Sequence, residues 1–288
     1  MKHYPLIFLL ALMLAGCAQE QPQPQSLVLE GWIDAGGYPV VLIHKSLVLK
    51  DTPKEIRNIE QIVEDQLIPF GRVAVSDGEQ EVVLTGRLDT TYMPPYTYSS
   101  VYLTGQPGRT YTVTAKYRDL YATATTTIPS VATLDSLAVS ADGLGRVSVT
   151  GYMSGINAGT DSYYALFLRE FGKLQFRLCP LGVFEGKNAV NGRMELTVKN
   201  TERDSTEDNY GYYFHRDTIR RQVKLAHIDY ASYRFWQAYN EQQMTRGIVF
   251  MPIYKNIQGN VNGGIGCFTG MGSSVYTFST ARDTTYTY

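Results

Sequence analysis

Residues 111–127 read YTVTAKYRDLYATATTT, and their pattern decides the fold class. Apolar or small residues alternate with polar ones along 111–117 and again along 121–127, while Asp119-Leu120 interrupts the alternation. Alternation with a period of two is typical of half-buried strands. The chain also contains 22 tyrosines, a residue type that suits a pleated surface. The stretch therefore predicts two strands joined by a turn, in an all-β protein.

The same pattern extends toward the N-terminus. Further strands are predicted at 27–33, 38–49, 72–76, 81–84 and 98–103. Seven short strands over roughly 100 residues are what an immunoglobulin-like or transthyretin-like sandwich requires. Ile128-Pro129 ends the series, because proline cannot continue a central strand. Residues 27–129 are thus predicted to form a first domain, with a short surface helix within 50–67.

The second half of the chain, 130–288, is predicted to be another mainly antiparallel β domain with one short helix. Its predicted strands are 134–140, 146–152, 162–169, 174–178, 194–198, 222–226, 248–253 and 274–280. Asp229 can cap a helix over 230–244 whose aromatic face favours core packing. The glycines of 263–266 precede no helix, so they favour a bulge or close backbone packing over a phosphate loop.

The N-terminus has the three parts of a secretory signal. Lys2 is basic, residues 5–15 form an apolar run, and the motif Leu14-Ala15-Gly16-Cys17 lies at the end of that run. The run covers about 11 residues, whereas a membrane-spanning helix needs about 20. Leu-Ala-Gly-Cys resembles the bacterial lipobox, which predicts a lipoprotein signal peptide at 1–16, acylation such as palmitate on Cys17, and a flexible Gln/Pro tether at 17–26. An ordinary signal peptide with an incidental cysteine is the alternative.

Charge and cysteine content narrow the class of protein. The 26 basic and 27 acidic side chains nearly balance, which gives no indication of a nucleic-acid partner. A hydrophobic content of 44% is sufficient for a packed core. Beyond Cys17, only Cys179 and Cys267 remain, and counting leaves open whether they pair.

The sequence predicts no catalytic residue, no metal site and no cofactor. His44, His215 and His227 lack metal-ligand spacing, and GMGSS at 270–274 is not a nucleophile elbow. The acids of 204–208 lack the order of a calcium loop, so a solvated loop is favoured.

Two tyrosine-rich segments are the candidates for surface binding, since tyrosines favour interfaces. The possible interface residues are Tyr92, Tyr96, Tyr98, Tyr210, Tyr212 and Tyr213. Tyrosines that close the edge of the core are the alternative. The sequence does not specify a small-molecule ligand.

Several segments together resemble the DUF4249 family of Bacteroidetes lipoproteins. They are LVLEGWIDAGG at 27–37, VSDG at 75–78, YLTGQPGRTY at 102–111, the Ile-Pro end at Pro129, and 256–268 with its GGIGCF. One departure is Cys267, where an aliphatic residue is more usual. The resemblance implies an outer-membrane lipoprotein, often found with TonB-dependent transporters, and no known catalytic residues.

The expected function is therefore that of a non-catalytic accessory or binding component, anchored in the outer membrane by lipid and working with a TonB-dependent transporter. The side of the outer membrane that it faces stays open. Two alternatives are a surface adhesin or fimbrial-type protein assembled by strand exchange, and an envelope hydrolase. The hydrolase would require converging His, Asp and Ser side chains or a metal constellation in a pocket.

Overall fold

A computed structural model describes residues 25–46, 66–157, 159–202, 211–245 and 257–288. Within these ranges the chain forms seventeen strands, a short 3-10 turn at Gly186–Asn188 and one α-helix of 16 residues. The prediction of an all-β, sandwich-like fold with one short helix is confirmed. Cys17, the tether up to residue 24, most of the predicted helix at 50–67, and the predicted strand at 248–253 lie outside the described residues.

The first half of the chain supplies eight strands. They are β1 Leu27–Asp34, β2 Val40–Lys45, β3 Arg72–Ser76, β4 Glu81–Val83, β5 Thr85–Leu88, β6 Tyr96–Ser99, β7 Thr110–Tyr117 and β8 Leu120–Thr127. β7 and β8 form the hairpin that their alternation predicts, with Val113 opposite Ala124. Threonine hydroxyls pair across its outer face, at 3.0 Å between Thr112 and Thr125. Tyr111, Val113 and Ala115 are fully buried on the inner face.

The second half supplies nine strands and the helix. They are β9 Ser136–Ala141, β10 Val147–Met153, β11 Tyr163–Glu170, β12 Arg177–Glu185, β13 Met194–Val198, β14 Arg220–Ile228, helix α1 Tyr230–Thr245, β15 Val261–Asn262, β16 Gly264–Ser279 and β17 Thr284–Thr287. β17 was not predicted from the sequence, and β12 begins three residues later than expected.

The strands form two sandwiches that share one sheet. An eight-stranded sheet has the order β12-β11-β14-β16-β1-β2-β6-β5. A five-stranded sheet, β15-β8-β7-β3-β4, packs on its β1 end, and a four-stranded sheet, β13-β10-β9-β17, packs on its β11 end. Each sandwich encloses its own hydrophobic core, as two inner sheet faces require.

Strand β16 connects the two sandwiches. Its first half pairs in parallel with β1, from Leu27 opposite Gly264 to Asp34 opposite Met271. Its second half pairs antiparallel with β14. Phe268 is therefore buried in the first core, whereas Phe278 is buried in the second. The predicted boundary at residue 129 stays a prediction. If a second domain begins there, the first half of its strand β16 pairs with β1 and is part of the first sandwich.

The glycines of β16 confirm the interpretation of close backbone packing. A Cβ atom on Gly270 would lie 2.9 Å from the Thr127 carbonyl oxygen. One on Gly266 would lie 2.0 Å from the Leu29 carbonyl oxygen, at a φ of +121°. The sequence predicts that the last strand begins only after these glycines, because a run of small residues carries no alternation. They are instead part of the strand.

Helix α1 covers the outer face of the shared sheet, on the side opposite the second core. Phe167, Ala226, Ile228 and Met271 of the sheet pack against Tyr233 and Trp236 of the helix. The aromatic face of the helix thus serves core packing, as predicted. Among the described residues, no helix is long and apolar enough to cross a membrane.

Asp229 caps α1 as the sequence predicts. Its Oδ1 accepts a hydrogen bond from the Ser232 amide at 2.8 Å, and its Oδ2 accepts one from the Thr126 hydroxyl at 2.7 Å. The carboxylate therefore ties the helix to the end of β8 in the first sandwich.

Replacing Asp229 with alanine is expected to lower the free energy of unfolding by about 1.5 kcal/mol, because an N-cap is worth about 0.5 to 2 kcal/mol and a second bond is lost with it. Urea unfolding followed by circular dichroism measures the change. Asp229→Asn is the matched control, since asparagine retains a capping oxygen, and it should lose less than half as much. Equal losses in the two variants would contradict a capping role.

Candidate functional site

The outer face of the shared sheet carries a group of charged and aromatic side chains where the two sandwiches meet. Along β1, Trp32 and Asp34 alternate with the core residues Leu29, Gly31 and Ile33, so they point away from the first core. The same alternation places side chains of β11 and β14 on this face. We call the group the junction cluster: Trp32, Asp34, Tyr92, Arg169, Phe176 and Lys224.

Lys224 and Asp34 form a largely buried ion pair in the junction cluster. The Lys224 side chain is 6% exposed, and its Nζ donates to both carboxylate oxygens of Asp34 at 3.2 Å. The Ser273 hydroxyl donates to Asp34 Oδ1 at 2.6 Å. Nζ also lies 3.4 Å from Met271 Sδ and 5.1 Å from the centre of the Phe176 ring. The charge of Lys224 is therefore satisfied within the protein.

Arg169 differs from Lys224 because it has no acidic partner among the described residues. Its Nε donates to Gln222 Oε1 at 2.9 Å and its Nη1 to the Leu174 carbonyl at 3.0 Å. Its guanidinium stacks 4.1 Å above the Phe176 ring. Burial lowers the pKa of Arg169, and Tyr92 offsets part of that shift. In the part of the chain that the structure describes, no carboxylate forms an ion pair with this half-buried cation.

Tyr92 is the member of the junction cluster that comes from a loop of the first sandwich. It lies in the loop between β5 and β6, and its ring centre is 5.9 Å from that of Trp32. Burial and the nearby Asp89 raise the pKa of its hydroxyl. The sequence predicts Tyr92 as a possible interface residue, and the structure places it half-buried beside Trp32.

Tyr98 has a structural role, which corrects its selection as an interface residue. It is 2% exposed in the first core. Its hydroxyl donates to the Ile68 carbonyl at 2.5 Å and accepts from the Gly71 amide at 3.0 Å. Tyr96 packs edge-on against it at 5.5 Å. For this pair the alternative, tyrosines that close the core, describes the structure better.

The second tyrosine segment lies on the second sandwich. Tyr212 and Tyr213 are half-buried, and the Tyr213 ring lies 5.2 Å from the guanidinium of Arg146 and 5.5 Å from Lys199 Nζ. Tyr210 lies outside the described residues. Arg146 immediately precedes β10 and Lys199 immediately follows β13, and neither belongs to the junction cluster.

Both described cysteines are buried free thiols, so they do not form the disulfide that the sequence left open. Burial raises the pKa of Cys179 to about 12 and that of Cys267 to about 11. Such thiols are protonated at neutral pH and react poorly as nucleophiles. Within the described ranges, no three His, Cys, Asp or Glu side chains form a group that could hold a metal.

A groove of about 1060 Å³ lies in the second sandwich, between the edge strands β12 and β13. Leu166 and Phe184 line it, and the charged residues at its rim, such as Arg193 and Glu195, are exposed. An exposed charge has water as its partner, whereas Arg169 is partly desolvated. For that reason the junction cluster is the better candidate for specific recognition, although it is not part of this groove.

Sequence reasoning missed Asp34, Arg169, Phe176 and Lys224. A usable signal was present: Lys224 interrupts the apolar run QVKLA, and Arg169 ends the apolar run ALFLR. A charged residue in a buried strand needs a partner or a function, because burying an unpaired charge is costly.

By its fold, the chain is an all-β protein with two sandwiches on one shared sheet. The junction cluster, a group of charged and aromatic side chains, lies where the two sandwiches meet. The chain belongs to the family described as Domain of unknown function (DUF4249), whose model matches residues 18–277. A comparison with curated proteins finds no match.

Proposed function

We propose that this protein is a non-catalytic binding component, anchored in the outer membrane through acylated Cys17, that works with a TonB-dependent transporter. The observation that carries the proposal is the Leu14-Ala15-Gly16-Cys17 motif at the end of an apolar run of about 11 residues. Acyl chains on one cysteine, together with its acylated amine, provide the two or more lipid signals that stable anchoring needs.

The short distance in sequence between Cys17 and the first strand supports an anchor close to the folded domains. The strand β1 begins at Leu27, so nine residues, 18–26, separate it from Cys17. Fully extended, they span about 30 Å at about 3.3 Å per residue. The first residue of β1 would then lie within about 30 Å of the membrane surface, and the junction cluster lies at the other end of that strand.

The chemistry of the described side chains supports recognition rather than catalysis. Asp34 accepts hydrogen bonds from both Lys224 and Ser273, so each of these three groups already has a partner within the protein. His227 donates from Nδ1 to the Ser130 carbonyl at 3.0 Å, and burial lowers its pKa. These four side chains thus have contacts that hold the structure.

The second candidate function is that of an adhesin assembled by strand exchange. The position of β1 argues against exchange of this N-terminal strand. Exchange replaces a terminal strand at a sheet edge. Here β1 lies between β2 and β16 in the shared sheet, and Leu27, Leu29 and Ile33 are fully buried. Removing β1 would open the first core.

Replacing Cys17 with serine is expected to abolish lipid labelling and to release the protein from membranes, because the thiol is the acyl acceptor. Metabolic labelling with palmitate and fractionation of cells measure both effects. Cys267→Ala is the matched control, since that thiol is 3% exposed and should not be a lipid acceptor. A Cys17→Ser protein that still carries label and sediments with membranes would refute the anchor.

Partnership with a transporter has a separate test. Purification of the tagged protein from membranes in mild detergent is expected to recover a TonB-dependent transporter. If Cys17 is acylated but no transporter is recovered, the anchor stands and the partnership falls.

A further inference from the structure

The charges around the junction cluster do not cancel. Five charged groups enter the contacts of its members: Asp34, Lys224 and Arg169 belong to the cluster, and Arg87 and Asp89 act on Tyr92. Lys224 pairs with Asp34 at 3.2 Å and Arg87 pairs with Asp89 at 3.6 Å. Arg169 is left over, so these groups carry one net positive charge.

The geometry of Arg169 leaves one end of its guanidinium available. Nε and Nη1 are committed to Gln222 and Leu174, and these bonds, with the Phe176 ring, hold the group in one orientation. Nη2 has no acceptor among the described residues. A guanidinium that is already oriented and partly desolvated loses little entropy when it binds an anion, which is why arginine is common where carboxylates are recognised.

The aromatic neighbours indicate the rest of the ligand. Phe176 lies under the guanidinium, and Tyr92, which lies near enough to affect the pKa of Arg169, packs its ring beside Trp32. Trp32, Tyr92 and Phe176 are all half-buried rather than enclosed in a core. Half-buried rings next to a fixed polar group are typical of ligand sites, in which apolar surface supplies affinity and a few polar groups supply orientation.

We propose that the junction cluster binds a ligand with a single carboxylate attached to a flat apolar group, and that Arg169 recognises the carboxylate. This inference rests on the proposed binding function and gives that function a ligand class. One unpaired arginine matches a monoanion, because the second cation, Lys224, is already neutralised by Asp34. A phosphate dianion would leave a negative charge uncompensated in a partly desolvated site.

The test uses the full mature protein in detergent, with N-acetyl-phenylalanine and its uncharged amide as probes. Trp32 is one of only two tryptophans, so tryptophan fluorescence reports binding beside it. The acid is expected to bind about tenfold more tightly than the amide, as a charge-assisted hydrogen bond allows. Arg169→Gln should remove this preference, and Arg169→Lys, which keeps the charge but loses the planar fork, should retain only part of it.

Arg220→Gln is the matched control. Arg220 also stacks on a phenylalanine, 4.4 Å from the Phe171 ring centre, but it is exposed and outside the cluster. This variant should bind the acid as the wild type does. Equal affinity for acid and amide, no binding of the acid at millimolar concentration, or wild-type preference in Arg169→Gln would each overturn the inference. Labelling of Cys17 and recovery of a transporter do not depend on Arg169, so failure of the proposed anchor and partnership would be seen separately.

Discussion

Replacing Gly272 with alanine is expected to lower the free energy of unfolding by about 3 kcal/mol, at the upper end of the cost of overpacking a core. The new Cβ would lie 2.5 Å from the Pro129 carbonyl oxygen and 2.4 Å from that of Ser130. Both obstacles are backbone atoms, which cannot rotate away as a side chain can. Moreover, the Ala132 amide donates to the Gly272 carbonyl at 3.1 Å, so the two segments cannot separate without losing this bond.

Gly143→Ala is the control for the effect of the substitution itself. No atom lies within 4 Å of the position that its Cβ would occupy, and the change should stay within about 0.5 kcal/mol of zero. Urea unfolding of both variants gives the comparison. If Gly272→Ala proved as stable as Gly143→Ala, β16 could not pass as close to Pro129 and Ser130, in the segment that links the two sandwiches, as the structure shows.

Local patterns in the sequence predicted the parts of the fold that local forces determine. The alternation in 111–127 gives the β7–β8 hairpin, because each strand buries every second residue against the first core. Asp229 marks the start of α1, because its side chain satisfies an amide of the first helical turn. In both cases the residues that interact are close in sequence, so their spacing contains the information.

The pairing of β1 with β16 could not be predicted in this way. The partners Leu27 and Gly264 lie at opposite ends of the chain, and four of the first nine residues of β16 are glycines, at 264, 266, 270 and 272. Glycine has no side chain to bury, so no alternation marks the strand. Its pairing depends on how closely two backbones can approach, and this is a property of the assembled sheet.

The junction cluster was hidden for a related reason. Asp34 looked like a turn residue because Ala35-Gly36-Gly37 follows it, and the chain does bend there. Its partner Lys224 is 190 residues away. Residue spacing cannot identify a pair that is so far apart in the sequence. The apolar run that Lys224 interrupts indicates only that this buried cation needs a partner. Tyr92 was found because its segment is unusual in composition, not because its contacts were foreseen.

Replacing Asp34 with alanine is expected to lower the free energy of unfolding by about 3 kcal/mol, because it leaves the buried cation of Lys224 without its counter-ion. Lys224→Met should cost only about 1 kcal/mol, since the Asp34 side chain is 24% exposed and water can solvate it, while methionine fills the volume of lysine. In the double variant neither charge remains, so it should be more stable than Asp34→Ala alone. Unfolding of the four proteins in urea completes the double-mutant cycle, and its coupling energy is the quantity of interest. Additive losses would mean that the two side chains act independently, which would remove the reason for treating Lys224 as neutralised and Arg169 as the one unpaired cation of the cluster.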